Sequence, residues 1–339
     1  MYFAEAALEA TATIGLVLLA GGATAAAFGR AIGYLSGALI GAAILVHVLG
    51  RPAVRNRGGG RPLRRIGRYA GALLIVDGAY ALFSNIDVLL VGGLLGSTAA
   101  GIYGAPLKLS VLLHYPGLSI ANAIAPRLAS HPDHPPDVPA LARGLRLLLI
   151  VQTALAVAIV VWATPIIELV LEHEYDESAG VLRALSPFVF LAGFGPLVAL
   201  TVNYLGEARR RIPIAVGCLA LTLVLALVLI DRVGVEGAAI SVDVSFALYA
   251  LAHLWICRQL VGLSPRPLAL TAVRVMPAAA ALAAVLVAAG TEDLGVAEWA
   301  LGVVGGTGAF VVALVVTRET SVGELREAWE RLSQRFRPA

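Results

Sequence analysis

The chain has 339 residues and a mass of 35.0 kDa; 59% of it is hydrophobic, only 14% is charged, and its mean hydropathy is +0.86. Soluble domains carry roughly 25% charged residues, so this composition excludes a soluble enzyme, a nucleic-acid reader and a disordered tail, and defines an all-α polytopic membrane protein. The net charge of +3 is informative only once the charges are placed, and two cysteines, Cys218 and Cys257, both in apolar stretches, make no disulfide framework and read as packing residues.

A hydrocarbon core about 30 Å thick needs roughly 20 apolar residues per helix, cut by polar or Gly/Pro punctuation. On that rule ten spans follow one another at 2–20, 23–49, 69–95, 99–125, 144–171, 179–205, 212–230, 235–257, 268–289 and 296–317. The breaks at Gly21–Gly22 and Gly96–Ser97 are the weakest, and merging is conceivable at each. Basic residues test the count. With ten spans, all Lys and Arg except Arg30, Lys108, Arg183 and Arg232 fall on one side, and the other carries Glu172, Glu174, Asp176, Glu177, Asp231, Glu236, Glu292, Asp293 and Glu298 with Arg232 as its one base. The positive-inside rule then puts both termini in the cytoplasm. The first apolar stretch lacks a basic leader and a small-residue cleavage site and carries Glu5 and Glu9, so it reads as a span and not as a signal peptide.

Between the spans, residues 131–139 (HPDHPPDVP) read as an irregular inner linker. His131, Asp133, His134 and Asp137 there, and His173 among the acids at 172–177, are solvated groups before they are metal ligands. Val322, Leu325, Trp329, Leu332 and Phe336 recur at 3-4-3-4 spacing, one apolar face with basic flanks, suited to the inner leaflet or to a solvated cap. Two outer turns echo each other, Gly22 to Gly29 and Gly234 to Ser241, either by chance in an Ala/Gly-rich chain or because two lobes share an ancestry.

Ionisable groups inside spans face a bundle interior or a water-filled cavity. Counting at about 1.5 Å per residue from the outer turns, Arg30, Asp87, Lys108 and Asp243 all lie roughly 12–17 Å deep, near the midplane. Asp77 lies deeper, and Glu9 nearer the inner end of its span. Asp87 and Lys108 stand at matching depth on adjacent antiparallel spans, so a structural ion pair competes with a functional cavity. In the functional reading, Arg30 and Lys108 attract an anionic head group, and Asp87 or Asp243 takes a coupling cation or proton. His114, Tyr115 and Pro116 place a kink in the same cavity wall and free the carbonyl one turn earlier.

Asp87, the Gly-rich turn through Gly96, Gly101-Ile102-Tyr103, Lys108-Leu109 and Ala125-Pro126 form an ordered set. Tyr175, Val181-Leu182-Arg183-Ala184-Leu185, Asn203-Tyr204-Leu205-Gly206 and the turn from Gly234 to Ser241 continue it. The set resembles the polysaccharide-type flippases of the multidrug/oligosaccharidyl-lipid/polysaccharide exporter superfamily, the O-antigen or exopolysaccharide repeat-unit flippases and their lipid II relatives, from about residue 1 to 260. The resemblance implies a two-lobed helical bundle that exports undecaprenyl-diphosphate-linked oligosaccharide by alternating access. It matches Lys108 to a position often basic in the family and Arg183 to an arginine read as structural. Pro106 and Glu172 depart from the family's small residues.

Under that resemblance about four helices of the first lobe would precede this chain. Residues 1–50 are then the remainder of the first lobe and 51–68, with seven arginines from Arg51 to Arg68, a basic cytoplasmic linker that meets anionic inner-leaflet lipids. Residues 69–257 form the second lobe, 258–317 two further helices, and 318–339 a cytoplasmic tail. A bacterial cytoplasmic membrane location is implied, with polysaccharide assembly proteins as partners. No cofactor or metal is expected. Three alternatives stay open: a truncated or partner-dependent non-transporting protein, a drug/cation antiporter, and a membrane glycosyltransferase or ligase. The short outer connections and the lack of a Walker A, H-E-x-x-H or G-x-S-x-G pattern weigh against the last.

Overall fold

The computed structural model describes residues 2–54, 61–129, 135–171, 175–321, 323 and 326. Among the described residues every regular element is helical. The chain divides into two compact units, Met1–Ile66 and Gly67–Ala339.

The first unit pairs α1 (Tyr2–Ala20) with α2 (Gly22–Val54). Gly21 separates them at φ +68°, a left-handed conformation that a side chain resists, so the break that looks weak by composition is a true turn. Small residues set the approach of the two helices. A Cβ on Gly29 would overlap the Thr13 backbone, and one on Gly33 would overlap Glu9. Of the arginine-rich stretch, residues 51–54 end α2 and 61–68 begin α3 (Arg61–Phe83), with residues 55–60 outside the described set.

The second unit holds the rest of α3 and α4 (Ile86–Leu95), α5 (Ser97–Leu112), α6 (Tyr115–Ile124), α7 (Val138–Leu171), α8 (Ser178–Ala184), α9 (Ser186–Ala192) and α10 (Phe194–Tyr204). It continues through α11 (Arg211–Val233), α12 (Val235–Val261), α13 (Pro265–Ala289), the short α14 (Val296–Ala300), a π-helical turn at Leu301–Gly305, and α15 (Gly306–Val316). Among the described residues seven stretches are long and apolar enough to cross a membrane, Leu73–Leu95, Val138–Leu171, Ser186–Tyr204, Ala208–Val233, Val235–Val261, Pro265–Ala289 and Val296–Val316. Ala7–Ala20 and Phe28–Ile44 are shorter apolar helices. The remaining expected span, 99–125, is not one helix: it breaks between α5 and α6, and Gly96 at φ +94° divides α4 from α5. The protein is a multi-pass membrane helical bundle.

Three cores hold the second unit. One centres on aromatics, with Phe83 stacked on Phe246 at 4.6 Å and Phe188 edge-on to Phe246 at 4.7 Å. A second, of Leu141, Leu145, Leu148 and Leu197, joins α7 to α10. The third docks α13 and α15 on α7. Here α7 leaves helical geometry at Trp162 (φ −106°, ψ 27°), three residues before Pro165. The bend turns the indole toward the α13 C-terminus, where Nε1 donates to the Gly290 carbonyl at 2.9 Å. Trp162 also stands edge-on to Trp299 at 4.7 Å and covers Gly302, where any side chain would overlap the ring. Cys218 and Cys257 are buried and unpaired, as packing residues are.

Candidate functional site

The buried polar centre of the second unit starts at Asp87, in the first turn of α4, 1% exposed. Its partner is Tyr103, one helix on, whose hydroxyl donates to Oδ2 at 2.5 Å; Oδ1 has no hydrogen-bond partner among the described residues. The Asp87–Lys108 ion pair read from matching depth does not form. Lys108 is exposed, acts on Asp87 through space without contact, and makes no ion pair among the described residues. Depth counting fixes height along a helix but not direction around it. Tyr103 lies five residues before Lys108, and at 100° per residue that turns the two side chains to different sides of α5.

Asp243 of α12 faces the same centre. Its carboxylate acts electrostatically on Tyr103, lies by the Phe188 backbone, and leaves Oδ1 unpartnered. The buried Asp87 carboxyl, the half-buried Asp243 carboxyl and one phenol therefore share a space in which two carboxyl oxygens have no donor among the described residues. That arrangement suits a small cation or a proton, because both supply positive charge to unfilled acceptors.

His114, Tyr115 and Pro116 occupy the break between α5 and α6. Pro116 sits at the start of α6, where its missing N–H is no loss, so it begins a helix instead of bending one. The imidazole of His114 stands edge-on to Phe188 at 5.2 Å with Nε2 buried and unpartnered, whereas Tyr115 is exposed. The Leu113 carbonyl freed beside the break accepts from Nε2 of Gln152 at 3.3 Å. Gln152 is fully buried and its Oε1 is also unpartnered. Close backbone approach makes this possible: a Cβ on Gly193 would overlap the Gln152 amide, and one on Gly117 would overlap the Gly193 carbonyl.

Arg30 belongs to the first unit. It is exposed and bridges Glu9 at 3.4 Å and the Tyr34 hydroxyl at 3.2 Å. Read from sequence, Glu9 lay nearer the inner end of its span. Glu9 is twelve residues before Gly21 and Arg30 nine after it, a mismatch of about 4–5 Å that an arginine side chain spans. Arg30 is thus a half-neutralised cation and not a free one.

Arg211 escaped the sequence reading because it stood in a run of three arginines, counted with the other basic residues on the cytoplasmic side. It is 5% exposed, and its guanidinium donates to Tyr249 Oη at 3.1 Å, Asn203 Oδ1 at 2.9 Å and His253 Nε2 at 3.3 Å. His253 at i+4 from Tyr249 on α12 was the available signal. Arg183 donates to the Val160 carbonyl at 3.2 Å, beside the α7 bend, which fits the structural role expected of it. Among the described residues no group of three or more His, Cys, Asp or Glu could hold a metal ion. His131, Asp133, His134 and His173 lie outside the described residues, while Asp137 pairs with Arg127 at 2.6 Å and caps α7. The apolar pattern from Val322 to Phe336 also lies outside them.

The second unit is thus a helical bundle with a buried polar centre, and its helices break at Trp162 and between α5 and α6. The comparisons narrow it further. The sequence model of the family described as "Polysaccharide biosynthesis protein" matches residues 3–131. Among solved structures, the lipid II flippase MurJ in an inward closed conformation is similar at a TM-score of 0.65 and 12% identity, covering 92% of this chain and 66% of that one. A MOP superfamily transporter from Pyrococcus furiosus (TM-score 0.45, 18% identity, 68% of this chain and 54% of that one) is also similar. So is a multidrug resistance MATE family transporter in an outward-facing conformation (TM-score 0.45, 23% identity, 76% and 66%). No curated protein sequence matches significantly. The chain has the fold of the flippase and spans just under two thirds of its length. The resemblance to the polysaccharide-type flippases read from the ordered motifs holds.

Proposed function

We propose that the chain moves an undecaprenyl-diphosphate-linked oligosaccharide across the bacterial cytoplasmic membrane by alternating access, with both termini in the cytoplasm. The observation that carries this reading is Lys108: an exposed lysine on α5 without an ion-pair partner among the described residues, in a flippase-like fold and near mid-depth by residue count from the outer turn. A charge there is costly unless it meets water and a counter-charge, and a diphosphate supplies the counter-charge. Arg30 of the first unit, partly offset by Glu9, is likewise a cation able to meet an anionic head group. Asp87 and Asp243, with their unfilled oxygens, receive the coupling cation or proton. The arginines from Arg51 to Arg68 meet anionic lipids, and polysaccharide assembly proteins are the natural partners. The role is transport and not bond chemistry.

The test is Lys108→Ala against Lys108→Arg in cells whose surface polysaccharide depends on this gene, with membrane abundance measured alongside. A lost phosphate contact costs about 1.5–3 kcal/mol, so Lys108→Ala should lower export roughly 10- to 100-fold at unchanged abundance, and Lys108→Arg should restore most of it. Normal surface polysaccharide in Lys108→Ala would remove the head-group role.

A further inference from the structure

The chain leaves α15 through a turn whose geometry disfavours the residue that occupies it. Arg318 stands at φ +58°. Its N–H donates to the Val315 carbonyl at 3.0 Å, and the next N–H, of Glu319, reaches back to Leu314 at 2.9 Å. These are the two closing bonds of a Schellman turn, whose left-handed position is normally glycine because a Cβ there is strained. A side chain held in such a conformation points to a role for that side chain.

The turn separates two neighbours. Glu319 goes inward, 2% exposed, and its carboxylate accepts from Arg146 Nε at 2.6 Å and Thr271 Oγ1 at 2.7 Å, with Arg274 at 3.8 Å. Its charge is therefore spent on α7 and α13. Arg318 goes outward, is exposed, and makes no hydrogen bond or ion pair with a described residue. Together with Arg146, Thr320, Ser321 and Val315 it lines a cavity of about 320 Å³. Earlier along α15, Val312 and Val316 are 62% and 75% exposed, two apolar side chains on one face of the helix. The exposed Arg318 guanidinium, with that of Arg146 already engaged by Glu319 through Nε, beside exposed valines at the arginine-rich end of the bundle, matches a phosphodiester joined to acyl chains.

We infer that Arg318 and Arg146 bind the phosphate of an anionic phospholipid, whose acyl chain lies along Val312 and Val316. Which leaflet supplies the lipid rests on the orientation proposed above; the binding itself depends neither on that orientation nor on transport.

Substituting Arg318 by glycine separates this role from a structural one, because glycine fits the turn better than arginine. The full chain, purified in a neutral detergent, is titrated with phosphatidylglycerol, phosphatidylcholine or inorganic phosphate, and bound lipid is counted by native mass spectrometry while melting is followed in parallel. The wild type should bind phosphatidylglycerol at least tenfold more tightly than phosphatidylcholine. Arg318→Gly should lose that preference about tenfold, and its lipid-free melting temperature should be equal or higher. Arg318→Lys should keep part of the preference. Unchanged phosphatidylglycerol binding by Arg318→Gly would overturn the proposal, as would a lower lipid-free melting temperature, which would mark Arg318 as structural. Protection by inorganic phosphate equal to that by phosphatidylglycerol would overturn the lipid assignment.

Discussion

Replacing Tyr103 by phenylalanine removes one hydroxyl from a site that has no spare donor. Tyr103 is 0% and Asp87 1% exposed, the hydroxyl donates to Oδ2 at 2.5 Å, and Oδ1 has no partner among the described residues. The phenylalanine variant therefore buries a carboxyl with neither oxygen bonded, and leaving one buried acceptor unmet costs about 1–3 kcal/mol. Taking about 2 kcal/mol, at about 2–4 °C per kcal/mol for a unit of this size, the melting temperature should fall by about 4–8 °C. Asp87→Leu should cost a similar amount, because it strands the hydroxyl instead. The double variant removes both halves and should lie close to wild type, since apolar replacement of both partners is nearly neutral. The assay is a double-mutant cycle on detergent-purified protein, melted and scored by fluorescence size-exclusion chromatography. The expected coupling, the shortfall of the double variant's loss from the sum of the two single losses, is about 4 kcal/mol. Additive losses, with the double variant the least stable, would refute the reasoning that these two groups exist to satisfy each other.

Gly117→Ala should destabilise by about 1–3 kcal/mol, because its Cβ meets the Gly193 carbonyl, a backbone atom that cannot swing away. Gly104→Ala, with nothing within 4 Å of the new Cβ, is the control and should be neutral or slightly stabilising in the same melts. Arg211→Ala removes the donor that Tyr249 Oη and His253 Nε2 share and should cost about 3 kcal/mol, with Arg211→Lys recovering part of it through a single contact. Equal melting of the alanine and lysine variants would show that the fork of donors is irrelevant.

Much of the architecture was legible because the bilayer imposes length. Apolar runs, punctuation and the one-sided arginines located the spans and the true turns at Gly21 and Gly96, where positive φ follows from glycine itself. What composition does not carry is rotation about a helix axis. Asp87 and Lys108 share a depth, yet Asp87 meets Tyr103, whose Gly-x-Tyr context was visible without revealing which way the phenol points. Arg211 shows the same limit: three consecutive arginines look alike in sequence, but only the third lies on the face of α11 turned toward α12. The broken α5–α6 stretch was half visible, since Pro116 gave the position of the break and not its form. The carbonyl that gains a side-chain partner is that of Leu113, and Gln152 supplies it from 39 residues away. Such long-range pairs leave no local pattern.

The central claim is transport, and the most direct measurement is in proteoliposomes holding the purified full chain and a fluorescent undecaprenyl-diphosphate oligosaccharide, with inner-leaflet probe revealed by its protection from a membrane-impermeant quencher. The account predicts protein-dependent transfer between leaflets that Lys108→Ala reduces at least tenfold. Folded wild-type protein, verified by its melting transition, that transfers the probe no faster than protein-free liposomes would contradict it.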